Sequence, residues 1–234
     1  MSTKKYSCIF FDLDHTLWDF ETNSRQTLEE LYAQYDLHKK GVTDFNSFHV
    51  RFKEVNSVLW ELYDNGKIDS IIIRKERFKQ ILETFNAYEE KLSQEISHDY
   101  LMTCPKKGNL MPGAINVLEY LKDRSYNLSV ITNGFEEIQH LKLASGKLES
   151  YFDHIITSQK TGHRKPAPEI FKYALQAHNI QHHEAAMIGD NLIADIVGAR
   201  NAGIDPVYYN PDSIPHNETL HHEISNLEEL LQIL

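Results

Sequence analysis

The sequence is poor in cysteine, with two among 234 residues, Cys8 inside an apolar run and Cys104 ahead of Pro105. That excludes a disulfide framework and a four-ligand zinc site, and it fits a reducing cytoplasm. Long apolar runs are missing too. No stretch approaches the length of about 18 uncharged apolar residues that a membrane span needs. The run that follows Lys4 and Lys5, Cys8 to Phe11, is stopped by Asp12 and Asp14, which argues against a signal peptide. Glycine and proline, at 10 and 7 residues, are too scarce for a fibrous or disordered chain, and 41% hydrophobic with 25% charged residues suits a folded one. Basic residues are the minority, 24 Lys and Arg against 34 Asp and Glu, for a formal net charge of -10. An extended phosphate backbone or an anionic membrane surface would repel such a chain, so neither nucleic acid polymer nor membrane is an expected partner. A small phosphorylated metabolite is not excluded, because a metal ion and one lysine reverse the field inside a cleft.

What is present is an alternation. Apolar runs of strand length at Tyr6 to Phe11, Leu128 to Ile131 and Ala185 to Ile188 each stop at a polar cluster, and His154 to Thr157 and Pro206 to Tyr209 continue the series. Between them lie segments of helical period: Val117, Leu118 and Leu121 after Pro112, read as a first helical position; Ile170, Phe171, Ala174 and Leu175; Ile193, Ile196 and Val197. Parallel neighbours need crossover connections, so the expected class is α/β, a doubly wound, mainly parallel Rossmann-like sheet. Ser225 with Glu228 three residues on has the spacing of a capping box and predicts a terminal helix. Residues 20–104 differ. Phe45, Phe48, Phe52, Val55, Leu59 and Leu62 recur at three- and four-residue steps up to Asn65-Gly66, which predicts one long amphipathic helix, and three further stripes flank it. The expected organisation is a core of residues 1–18 and 107–234 with an α-helical bundle inserted at 19–106.

The chemistry lies at the strand ends. Asp12 and Asp14 sit two apart after the first strand, where the pleat turns both carboxylates the same way. At about 4 Å and an effective dielectric near 20 their repulsion is roughly 4 kcal/mol, which a bound divalent cation or a proton must offset. With 14 aspartates in the chain, chance alone supplies about one such pair, and requiring Thr16 as well lowers that expectation to about 0.04. Thr132, Asn133 and Gly134 form a strand-to-helix turn whose hydroxyl and backbone N–H groups suit an anion, though alone such a turn is only a turn. Lys165 precedes Pro166, which restrains it, and Pro168 marks a helix start. Asp190 follows Gly189 at a strand end and Asp195 comes five residues later. All four clusters fall at or just beyond the carboxyl ends of expected parallel strands, where such sheets bind ligands. Four carboxylates, one Lys and one Thr on one crevice suit phosphate and Mg²⁺, because oxygen-only ligands favour Mg²⁺ over zinc. The pairs His182-His183 and His221-His222 read as exposed loops, since adjacent residues seldom share one ion.

This ordered set resembles the haloacid dehalogenase-like hydrolase superfamily, whose motifs read Asp-x-Asp-x-Thr, Ser/Thr, Lys and Gly-Asp-x(4)-Asp, and the helical insertion looks like that superfamily's cap of the first type. The resemblance implies that Asp12 is the nucleophile, forming an aspartyl-phosphate that water hydrolyses, and that Asp14 is the general acid and base. It implies phosphate binding by Thr132, Asn133, Gly134 and Lys165, with Mg²⁺ on Asp12, the backbone carbonyl of Asp14 and Asp190, and with Thr16 and Asp195 in support. An aspartate at position 14 points to phosphate transfer over dehalogenation, because a departing halide needs no proton. The runs Phe10 to Leu17 and Thr132 to Phe135 with Gln139, and Tyr151-Phe152-Asp153, look like the pyrimidine 5'-nucleotidase branch. The implied partner is a nucleoside monophosphate, with Trp18, Phe20, Trp60 and Tyr63 as aromatics able to stack on a base. Two alternatives stand beside it: a phosphatase of sugar phosphates or phosphoglycolate, and a non-catalytic phospho-switch, against which the late Asp190 and Asp195 and the long insertion argue.

Overall fold

The computed structural model describes residues 5–234; residues 1–4, Lys4 among them, lie outside the described residues. The chain divides into two compact units, Met1–Phe20 with Gly108–Leu234, and Glu21–Lys107. The boundaries stand two residues and one residue later than 18 and 106. Phe20 stays with the first unit, its ring 4.8 Å from that of His15 and 6.3 Å from that of Trp18.

The first unit is built on six parallel strands: β1 (Cys8–Phe11), β2 (Asn127–Thr132), β3 (His154–Thr157), β4 (Ala185–Gly189), β5 (Asp205–Tyr209) and β6 (His222–Ile224), in the spatial order β3-β2-β1-β4-β5-β6. β1 and β4 are apolar, β2 is so apart from Asn127, Ser129 and Thr132, and all three are almost wholly buried, as strands covered on both faces must be. Phe10, Ile131, Ile156, Phe171 and Met187 belong to one core cluster. The chain fills one half of the sheet with β2 and β3, then crosses over β1 to lay down β4, β5 and β6. Strand order therefore reverses about β1, and the crevice beyond its carboxyl end is where Asp12 emerges.

Four helices, α1 (Phe20–Gln34), α2 (Phe45–Asp64), α3 (Ser70–Thr84) and α4 (Glu90–Thr103), make up most of residues 20–103. α2 starts where Asp44 caps it, its carboxylate accepting from the Ser47 backbone N–H at 2.9 Å. The aromatic stripe is core: Tyr100 packs within 5.2 Å of Phe52 and 5.5 Å of Phe78, and its hydroxyl meets that of Ser24 at 2.9 Å. The buried guanidinium of Arg77 lies over all three rings, 4.5 Å from that of Tyr100, and donates to Asn56 at 3.0 Å.

The remaining helices of the first unit are α5 (Ala114–Asp123), α6 (Glu136–Ser145), α7 (Ser158–Thr161), α8 (Pro168–His178), α9 (Gly198–Asn201) and α10 (Leu230–Ile233). Three local expectations need correction. Pro112 is not the first helical residue; Met111 to Gly113 form a turn closed by Ala114 N–H on Met111 C=O at 3.1 Å, and Gly113 caps α5. The terminal capping box is shifted by one, Asn226 with Glu229. His222 belongs to β6 and not to a loop. Where the chain leaves and re-enters the first unit, Leu17 to Asp19 and Asn109 to Met111 run side by side. Met111 N–H donates to Leu17 C=O at 2.9 Å, and Asp19 N–H to Asn109 C=O at 3.1 Å. Among the described residues no helix is long and apolar enough to cross a membrane.

Candidate active site

β1 ends at Phe11 and the next residue, Asp12, is held to the neighbouring strand by its N–H on Ile188 C=O at 2.9 Å. Lys165 reaches it from the loop before α8. Its ammonium donates to Asp12 Oδ1 at 2.5 Å and to Ile131 C=O at 2.7 Å, and pairs with Asp195 Oδ1 at 2.6 Å. Only 2% of Lys165 is exposed, and Asn133 fixes its backbone from both sides, Oδ1 accepting the Lys165 N–H at 2.8 Å and Nδ2 donating to its C=O at 2.9 Å. The Asn133 side chain is thus spent on aiming the lysine. The Thr132 hydroxyl, also buried, accepts the Gly134 N–H at 3.0 Å and so shapes the turn that opens α6. A Cβ at Gly134 would meet Gln139 Nε2 at 2.0 Å, so only glycine lets that side chain lie against the turn.

Asp190 follows β4 and accepts a hydrogen bond from the buried Thr16 hydroxyl at 2.8 Å. Asp195, 1% exposed, stands on a π-helical segment, Leu192–Val197, and is committed to protein on both oxygens: Oδ1 to Lys165, Oδ2 to the Asn191 N–H at 3.0 Å. Gly189 makes room for it, since a Cβ there would lie 2.2 Å from Asp195 Oδ2. One carboxylate oxygen from each of Asp12, Asp190 and Asp195 lies within 4.8 Å of the others.

Burial and crowding disfavour charge on all three. Loss of solvent, with Asp195 and Asp14 adding repulsion against the pull of Lys165, pushes the Asp12 carboxyl up to about 7. Burial and the nearby Asp12 push Asp190 up to about 6, while Asp195 is raised by burial and by Asp190. Lys165 is held firmly protonated: burial opposes its charge, but Asp12 and Asp195 more than offset this.

A further residue, Lys142 on α6, went unforeseen. It is 6% exposed and its ammonium donates to both oxygens of Asp14, at 2.5 and 2.7 Å. A signal existed: Gln139, Lys142 and Leu143 share the buried face of α6 at helical spacing, where a lysine is out of place. Asp12, Asp14, Asp190 and Asp195 set against Lys142 and Lys165 leave two negative charges when all are ionised. The donor set is oxygen only. Both facts fit a hard divalent cation such as Mg²⁺.

Of the four candidate base-stacking aromatics, Trp18 and Tyr63 are buried, while Phe20 and Trp60 keep part of their surface. Thr16→Val keeps shape and removes the hydrogen bond to Asp190. We expect a stability loss of about 1–2 kcal/mol and Mg²⁺ affinity lower by about 10–100-fold, read by calorimetric titration of the metal.

An open parallel sheet with acids and a buried lysine gathered where its strand order reverses defines an α/β enzyme of the Rossmann-like type. The chain belongs to the haloacid dehalogenase-like hydrolases: that family's model matches residues 6–203. It is 31% identical over 232 residues to the pyrimidine 5'-nucleotidase PynA of Streptococcus pneumoniae, covering 98% of this chain and 95% of that protein. It is 32% identical over 237 residues to the pyrimidine 5'-nucleotidase YjjG of Escherichia coli, covering 98% of each. Among solved structures, the putative hydrolase YfnB of Bacillus subtilis, bound to magnesium, superposes with a TM-score of 0.87 at 28% identity, covering 98% of this chain and 99% of that one.

Proposed function

We propose that the protein is a Mg²⁺-dependent phosphomonoesterase that hydrolyses nucleoside 5'-monophosphates, pyrimidine ones first, through a phosphorylated Asp12. The observation that carries this reading is the buried contact of Lys165 with Asp12, at the head of the three-carboxylate cluster. The full-length similarity to two pyrimidine 5'-nucleotidases supports the substrate class.

In this reading Asp12, Asp190 and the backbone carbonyl of Asp14 would hold the ion, with Asp195 behind them and Thr16 steadying Asp190. Bound there, Mg²⁺ offsets the site's excess negative charge and that of the phosphoryl group. The Asp12 carboxylate attacks phosphorus, the ester P–O bond breaks, and the leaving oxygen takes the proton of the Asp14 carboxyl. A water then attacks the phosphoryl group and gives a proton to the Asp14 carboxylate. The bond to Asp12 breaks and inorganic phosphate leaves. Lys165 and the Thr132 to Gly134 turn neutralise and cradle the phosphoryl oxygens throughout.

Phosphate release across a panel of nucleoside monophosphates, sugar phosphates and phosphoglycolate tests the assignment. We expect uridine or thymidine 5'-monophosphate to give the highest kcat/KM, and excess EDTA to remove activity that Mg²⁺ restores. A higher kcat/KM for a sugar phosphate or phosphoglycolate moves the substrate class. A stable aspartyl-phosphate without turnover overturns the phosphatase reading.

A further inference from the structure

We propose that Lys142 is a positioning residue for Asp14, a role that rests on the phosphatase reading above. A lysine so enclosed gives up the hydration of its ammonium, and such a charge persists only where partners replace the lost water. Here both oxygens of Asp14 take that part, and the face of the Trp18 ring lies 4.6 Å from the ammonium. The platform is rigid: Trp18 is fully buried and bridged to Asp14 on one side and Leu110 on the other.

Two features give this pair a purpose beyond packing. The Asp14 carboxylate is not among the three that gather within 4.8 Å, although Asp14 is only two residues from Asp12. Held on two oxygens by Lys142, it stays out of that three-carboxylate group. The helix that supplies Lys142 also closes the phosphate turn, because Gln139, one turn earlier on α6, packs against Gly134. One helix therefore braces the phosphate turn through Gln139 and anchors Asp14 through Lys142, which sets where the leaving oxygen of a cradled phosphate meets the Asp14 carboxyl. A reaction that depends on a placed proton donor loses most when that placement is lost.

The test separates the proton-transfer role from general support. kcat/KM is measured for the alkyl phosphate that wild type turns over fastest, uridine 5'-monophosphate in the reading above, and for p-nitrophenyl phosphate, whose phenolate leaves without a proton. The ratio of the two on one preparation is independent of the folded fraction. Lys142→Met is expected to lower the alkyl value on the order of 10²-fold, the lower end of what acid–base catalysis supplies, and the aryl value by less than about five-fold. Lys142→Arg, which keeps the charge, should recover most of the loss, and Asp14→Asn with Lys142→Met should be no worse than Asp14→Asn alone. Equal losses on both substrates, no loss on either, or a further loss in the double variant overturn the role of Lys142 while leaving the phosphatase reading intact. Wild-type protein inert towards both substrates overturns that reading and this role with it.

Discussion

Asp12→Asn is expected to abolish turnover, a loss on the order of 10⁴-fold or more as befits a nucleophile, and at the same time to make the metal-free protein more stable. Burial pushes the Asp12 carboxyl from an ordinary 3.8 up to about 7. Between about pH 4 and pH 7 the folded chain therefore holds a proton that the unfolded chain has released. The stability tied to that proton is full below the unfolded value and is lost as pH rises through the folded one. An asparagine has no such charge to bury. In EDTA at pH 7.5 the variant should melt above wild type by a margin on the order of 1 kcal/mol or more, each kcal/mol being about 2–4 °C in a chain of this size. The gap should close near pH 4, where wild type is protonated. Saturating Mg²⁺ should raise the wild-type melting point at pH 7.5 and the variant's less, because binding to the folded state adds stability where ligands are intact. Melting curves at three pH values, with and without the metal, check this. A metal-free wild type that outlasts Asp12→Asn at pH 7.5 would show that the carboxylate is not strained as argued.

Lys165→Met is expected to have the opposite effect on stability and the larger one. The ammonium is the shared counter-charge of Asp12 and Asp195, with a third contact to Ile131 C=O. Its removal leaves two buried carboxylates without compensation, a change that costs about 3–5 kcal/mol. Acid should rescue the variant, since both carboxyls, already raised, titrate still higher once the cation is gone and protonate before the unfolded chain does. Urea unfolding at pH 7.5 and pH 5 should show the gap to wild type shrinking at the lower pH. Phosphate release should be lost at both. An unfolding midpoint equal to that of wild type would mean that the two acids are neutral in the folded protein.

These effects were legible in the sequence as far as strand ends are. β1, β2 and β4 announce themselves because strands covered on both faces are near-continuous apolar runs, with Ser129 the one polar break inside β2, and the polar cluster at which each run stops is delivered to the crevice. β6 escaped because His222, Glu223 and Ile224 form a short polar edge strand with no apolar run to notice. The π-helical turn that brings Asp195 back onto Lys165 is set by the approach over Gly189 and by Asn191, whose side chain accepts from the Ile193 and Ala194 N–H groups at 3.1 and 2.9 Å, and not by local propensity. Lys142 was missed for a different reason. A lysine on a surface helix usually points to water, and only its place beside Gln139 and Leu143 on the inward stripe betrays it. Asn133 was legible as a member of a turn, but its clamp on the Lys165 backbone joins residues 32 apart, a pairing that no local pattern carries.

The paired entry and exit segments have a consequence for how this chain diversifies. Leu17 and Met111 are tied by a single peptide-to-peptide bond, so the loop between them closes at a point already fixed by the sheet. The entropy of closing such a loop grows only with the logarithm of its length, about 0.6 kcal/mol per doubling. Segments of quite different size can accordingly be spliced in at that doorway at little expense to the catalytic half. Natural history, or a protein engineer, is free to swap one insert for another there while the aspartates stay where they are.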